Sequence, residues 1–299
     1  MPKTTKQNKA QVLLQTLPVQ DRKILGNFFE LLLDEYDYAY TLFGDKPVSV
    51  ACYGLKPRVH SIYNPHSDVV FKEGWKTWDR YSHQFVSKQF VIKKNIDNKS
   101  GLVSIYLINK SAVLNTIKAH SVFFQHHLGT KIDAEELTEE LCHPDHNFYN
   151  SLNNSELYGI LLGYGQENAW KFGRKVELCH LINAKMNPPL LAKVEIFLNP
   201  LAQHIAAGYG CKRNQSFPEE FEVTLVKEYN TLITEQAGWE LEQSDYFLDK
   251  FIAPVYMSSK EGLQQPTQVD FAAIRENIRK HYQQGDFLEI TLNQFMDPQ

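Results

Sequence analysis

Phe43-Gly-Asp-Lys-Pro-Val-Ser-Val-Ala-Cys-Tyr53 is the stretch where the chain changes its period. Before it, Ile24, Leu25, Phe28, Phe29, Leu32, Tyr36 and Tyr40 recur at helical spacing, which predicts a helix over 19–42. Gly44 stops that helix and Asp45-Lys46-Pro47 supplies turn chemistry. Val48 to Tyr53 then reads as a strand, with Cys52 as a residue of its core. A helix, a tight turn and a strand in direct succession point to a mixed fold.

Downstream, two strands are expected at about 85–93 and 102–108, joined by the polar turn Asn95-Ile-Asp-Asn-Lys-Ser-Gly101. Residues 54–84 read as a loop carrying the aromatic cluster Trp75, Trp78 and Tyr81. Beyond 109 helices dominate: 111–128 closing at Gly129, a short acidic helix at 133–142, and a pair at 154–162 and 166–184 around Gly163-Tyr-Gly165. A strand is expected at 192–198, a helix from Ser216 to about 236 opened by a capping box, and another from Thr267 to about 284. The fold expected is α+β, predominantly helical, with a small antiparallel sheet in the N-terminal third. The domain reading is a flexible tail at 1–16 and one globular domain over 17–299, with a subdomain boundary near 129–133 as the alternative.

Composition narrows the function classes. The chain has 299 residues, 43% of them hydrophobic and 12% aromatic, which suffices for a core. A net charge of −4 gives no global reason for nucleic-acid binding. Cys52, Cys142, Cys179 and Cys211 are widely spaced, which favours a reducing compartment over a disulfide framework. No apolar run approaches the roughly 20 residues of a membrane span, and Val12-Leu-Leu-Gln-Thr-Leu17 is too short and polar for a signal segment. The location expected is the cytoplasm, with secretion by a route that uses no N-terminal signal as the alternative.

Charge is segregated along the chain. Lys46, Lys56, Arg58, Lys72, Lys76, Arg80, Lys88, Lys93 and Lys94 fall in one segment. Residues 133–160 hold seven acids and no Lys or Arg. Lys46, Lys56 and Arg58 are therefore candidates for holding an anion or an acidic protein partner. Facing each other, or facing water, explains the two segments equally.

Three further constellations bear on chemistry. Cys142-His-Pro-Asp-His146 packs metal-capable side chains together, so Cys142, His143, Asp145 and His146 are the candidate ligands should a metal be held; no other cofactor is expected. Capping and turn formation account for the same residues. Cys211, between Gly208-Tyr-Gly210 and Lys212-Arg213, is the best-placed thiol nucleophile. Gly163-Tyr-Gly-Gln-Glu-Asn168 has Asn168 where a dinucleotide fingerprint needs its third glycine, and a helix precedes it where a strand should be. It reads as a helix corner whose second N-terminus could hold an anion. With Asp45 and Lys46, Asn168 would then line an enzyme site. His120 and His127 are expected as half-buried histidines satisfied by hydrogen bonds. The hydrolase, NTPase, zincin and kinase signatures are absent from the sequence.

Tyr40-Thr-Leu-Phe-Gly-Asp-Lys-Pro-Val-Ser49 and Glu156-Leu-Tyr-Gly-Ile-Leu-Leu-Gly-Tyr-Gly-Gln-Glu-Asn-Ala-Trp170, in that order, resemble an uncharacterised protein family of bacteria that live inside host cells. The resemblance covers about 25 residues. It implies a soluble bacterial protein, with delivery to a host as one destination, and it transfers no catalytic residue. The preferred expectation is a binding or host-interaction protein, against an enzyme of unfamiliar class or a metal-dependent protein.

Overall fold

The computed structural model describes residues 9–54, 65–97, 101–129, 131–152, 154–185, 271–283 and 285–298, with short pieces at 224, 227–228, 231, 236–237 and 256–257. Its centre is an antiparallel sheet of β1 (Val48–Gly54), β2 (Phe90–Asp97) and β3 (Leu102–Asn109), in the order β1-β3-β2. The register runs from Val48↔Ile108 on one side and from Phe90↔Asn109 on the other. The architecture is α+β and predominantly helical, with this sheet in the N-terminal third. A two-residue pair, β4 (Gln236–Ala237) with β5 (Tyr256–Met257), lies further along the chain.

Alternation along the strands gives the sheet two apolar faces, and each is covered by helices. Ala51, Tyr53, Val103, Ile105 and Leu107 face one cluster. It is built from α1 (Lys9–Thr16), α2 (Val19–Glu35), α3 (Tyr38–Leu42), α4 (Pro65–Tyr81), α11 (Phe271–Tyr282) and α12 (Phe287–Met296). Val48, Tyr106 and Ile108 face the other. That side holds α5 (Lys110–Ala119), α6 (Ser121–Leu128), α7 (Ala134–Cys142), α8 (Phe148–Leu152), α9 (Ser155–Leu161) and α10 (Gln166–Lys185).

Several expectations are corrected. The segment 54–84 is not a loop throughout, because α4 occupies Pro65–Tyr81. Proline is well placed at a helix start, and Phe71, Trp75 and Trp78 share one face. That face packs on α2: Phe71 meets Phe28, and the Trp78 ring lies 5.3 Å from Phe29 edge to face. Of the aromatics expected on that loop, Trp78 is buried in the core and Trp75 and Tyr81 pack partly buried against it. Within the tail expected at 1–16, Lys9–Thr16 form α1. Ala10 and Leu14 are buried, and the Ala10 amide donates to Asn293 Oδ1 at 3.2 Å. The helix expected over 19–42 breaks at Tyr36–Asp37, and the one over 111–128 breaks at His120. The hairpin's first strand is displaced to 90–97. The expected strand at 192–198 and the start of the helix at 216 lie outside the described residues.

The turn after α3 admits no side chain at Gly44, because a Cβ there would lie 2.5 to 2.8 Å from three atoms of Ile274 on α11. Gly44→Ala is expected to lose about 1–3 kcal/mol of stability by overpacking. Urea unfolding measures it, with Ile274→Ala restoring part of the loss in the double variant.

Candidate functional site

The two blocks that stand out in the sequence meet through Lys46. It is 1% exposed, and its ammonium donates to Val48 O at 2.7 Å and to Leu162 O at 2.8 Å. The same nitrogen lies 5.9 Å from the centre of the Tyr164 ring. The turn between α9 and α10 is built by Gly163 and Gly165, whose φ values of 85° and 79° lie in the left-handed region that favours glycine. Tyr164 N closes the turn on Gly159 O at 3.2 Å. Gly159 lets α9 and α10 touch, since a Cβ there would lie 2.9 Å from Ala169 Cβ.

The carboxylate near Lys46 is Asp37. It occupies the break between α2 and α3 at φ 62°, a left-handed conformation tolerated by Asp and Asn. Ser49 Oγ donates to Asp37 O at 2.9 Å, so the 2.7 Å bond between the Thr41 and Ser49 hydroxyls is donated by Thr41. Burial raises the Asp37 carboxyl to about 6 while the charge of Lys46 pulls it back. Burial lowers the Lys46 ammonium to about 8 while Asp37 supports it. Burial, with Asp37 adding to it, also raises the Tyr164 phenol. The ammonium of Lys46 thus ties the entry to β1 to the α9–α10 corner, and Asp37, at the α2–α3 break, acts on it through its charge.

Of the residues proposed from sequence, Asp45 is exposed, whereas Lys46 is enclosed. Asn168 is 2% exposed; its Nδ2 donates to Tyr164 O at 2.9 Å, and its Oδ1 has no partner among the described residues. Lys56, Arg58 and Cys211 lie outside the described residues.

Cys142, His143, Asp145 and His146 end α7 and the turn beyond it. Their backbone is gathered by a second buried lysine, Lys93 on β2. Its ammonium donates to Leu141 O at 2.9 Å, His143 O at 2.7 Å and His146 O at 2.8 Å. Three donors meet three carbonyls at a helix C-terminus, where positive charge is favoured. The Cys142 thiol is buried and pushed up to about 11, which leaves it protonated and weakly nucleophilic at neutral pH. The imidazole of His146 pairs with Glu140 at 3.5 Å, and that of His143 lies 3.9 Å from Asp145. Among the described residues no group of three or more His, Cys, Asp or Glu is placed to hold a metal ion.

The charged segments meet partly within the fold. Lys93 carries the basic segment onto the carbonyls that end the acidic helix. Glu135 and Glu139 on that helix instead pair with Lys118 at 2.6 Å and Lys110 at 3.6 Å, both from α5. Arg80 pairs with Asp21 at 3.1 Å, and Lys94 lies 4.9 Å over the Trp75 ring. Lys72, Lys76 and Lys88 remain on the surface.

Sequence reasoning missed Asp37 and Lys93. Asp37 lies inside an otherwise continuous helical pattern, and only the tertiary contacts reveal the break. Lys93 follows Val91 on the same face of β2, and that alternation was the available signal.

Fold and site together define an α+β protein whose central sheet is pinned to its flanking helices by two enclosed lysines. No family model, curated protein or solved structure matches the chain.

Proposed function

We propose that this chain is a bacterial binding protein that acts by holding a protein partner, in the cytoplasm or, after delivery, in a host cell. The bacterial setting and the delivery rest on the two-block resemblance. The observation that carries the binding reading is the state of Lys46. An enzyme holding an anionic substrate with Lys46 and the 163–168 turn needs that ammonium within a substrate's reach, and here two backbone carbonyls hold it inside the fold. The most distinctive residues of the sequence thus serve the scaffold. Partner recognition then falls to surface groups such as Lys72 and Lys76 on α4 and Glu135, Glu136 and Glu139 on α7.

The alternative is an enzyme of unfamiliar class. It is favoured by the opposed shifts of Asp37 and Lys46, since acids raised and bases lowered by burial are a pattern of proton-exchanging sites. Native mass spectrometry with elemental analysis on untagged protein from its own cells separates the two. The binding reading expects a stoichiometric protein complex that is weakened by Lys72→Glu with Lys76→Glu. A monomer carrying a stoichiometric metal or small molecule overturns it.

A further inference from the structure

His127, at the end of α6, lies against the start of α9. Its Nδ1 is 2.9 Å from Asn154 Nδ2, and its Nε2 is 3.4 Å from Glu156 Oε2. Asn154 is the N-cap of α9. Its Oδ1 accepts from Glu156 N at 2.8 Å and from Leu157 N at 2.9 Å. Those two bonds fix which end of the amide is oxygen, so the nitrogen end faces His127. Nδ1 must then accept, and the neutral ring carries its proton on Nε2, directed at Glu156. Turning the ring over would forfeit both contacts.

We propose that His127 and Asn154 form an acid-sensitive cap that loosens the start of α9. The second proton taken up by the imidazole goes to Nδ1, which places an N–H against the N–H of Asn154. Both cannot donate to each other. The arrangement recovers a hydrogen bond if the Asn154 amide turns its oxygen to His127, and that turn removes the acceptor from Glu156 N and Leu157 N. The helix loses its cap while the imidazolium gains a partner.

The surroundings drive this exchange. Glu156 faces the ring from α9. Its carboxyl is raised, chiefly by burial; His127 lowers it, and Glu177 on α10 raises it. Glu177 is paired with Arg174, which also holds Glu228. From α6 itself, the Phe123 ring lies 4.3 Å and the His126 ring 5.3 Å from that of His127. A protonated ring therefore gains Glu156 on one side and an amide oxygen on the other, at the expense of the cap. Helix α9 ends at the turn whose Leu162 carbonyl holds Lys46, so the cap is one short helix from the corner.

NMR on the full chain tests this through His127 ring nitrogens and amide exchange, between about pH 5 and pH 8. The neutral ring should be the Nε2–H tautomer. Protection of the Glu156 and Leu157 amides, corrected for intrinsic exchange, should fall roughly five- to tenfold as His127 becomes charged. In Asn154→Asp one carboxylate oxygen keeps the cap while the other accepts from Nδ1–H, so the fall should vanish. An Nδ1–H tautomer at high pH, protection that ignores the charge on His127, or an unchanged fall in Asn154→Asp would each overturn the proposal.

Discussion

Lys46→Met is expected to lower stability by about 3–5 kcal/mol, because two carbonyls lose their enclosed donor and the Asp37 carboxyl loses the positive charge that supports its ionised form. Asp37→Asn isolates the charge itself. Asparagine tolerates the φ of 62° and keeps the side-chain shape, so only the negative charge beside Lys46 is removed. The double variant Asp37→Asn with Lys46→Met should cost clearly less than the two single losses together, since neither partner is left alone. Urea unfolding of the four proteins measures this. Additivity within about 0.5 kcal/mol would mean that the two residues are not coupled.

The pH dependence has a definite sign. Asp37 has its carboxyl raised from 3.8 to about 6, so the folded state binds the proton more readily than the unfolded chain. Its contribution is fully present below 3.8 and is lost as pH rises through about 6. Lys46 is lowered from 10.5 to about 8, so its contribution is fully present above 10.5 and is lost as pH falls through about 8. Between about 6 and 8 both groups are charged, and their enclosure costs most. The stability of the native chain relative to the double variant should therefore be lowest in that window and rise on both sides.

Lys93→Met is the second large effect. Three carbonyls lose one shared donor, and a helix end loses its charge, so a loss of about 3–5 kcal/mol is expected. Burial lowers the Lys93 ammonium from 10.5 to about 8. By the same linkage, the native chain should gain stability as pH rises from about 8 toward 10.5, and Lys93→Met should lack that gain. Methionine keeps the apolar length of the side chain, which makes the ammonium the variable. An unfolding midpoint within error of the native value would remove Lys93 from its role as a brace. The turn Cys142–His146 should also become more open to amide exchange in this variant.

Local chemistry made much of this fold legible in the sequence. The stop at Gly44 precedes a strand because period-3.6 apolar spacing gives way to turn residues and then to β-branched ones. The acidic helix begins where Asp133 can cap it, and its Oδ1 does accept from Glu136 N at 3.0 Å. The α6 helix ends at Gly129, whose φ of 70° glycine adopts freely. Such features depend on neighbours a few residues away, so a linear pattern records them.

Burial and long-range pairing are recorded nowhere in such a pattern. Lys46 and Lys93 look like two members of a solvated basic run, yet both ammoniums are taken inside by carbonyls 116 and 48 to 53 residues away. Asp45, grouped with Lys46 and Asn168 as a candidate site residue, is exposed, whereas the carboxylate whose charge acts on Lys46 is that of Asp37 at a helix break. The aromatic residues of 65–81 read as a loop because Gly74 and the charged residues between them mask the helical face, which α2 completes. Short-range sterics and capping made the stops at Gly44 and Gly129 and the cap at Asp133 readable in the sequence, whereas the breaks at Asp37 and His120 and the helix over 65–81 became visible only in the packed fold. Only the tertiary structure decided which charges are enclosed, since desolvation depends on every element packed around a group.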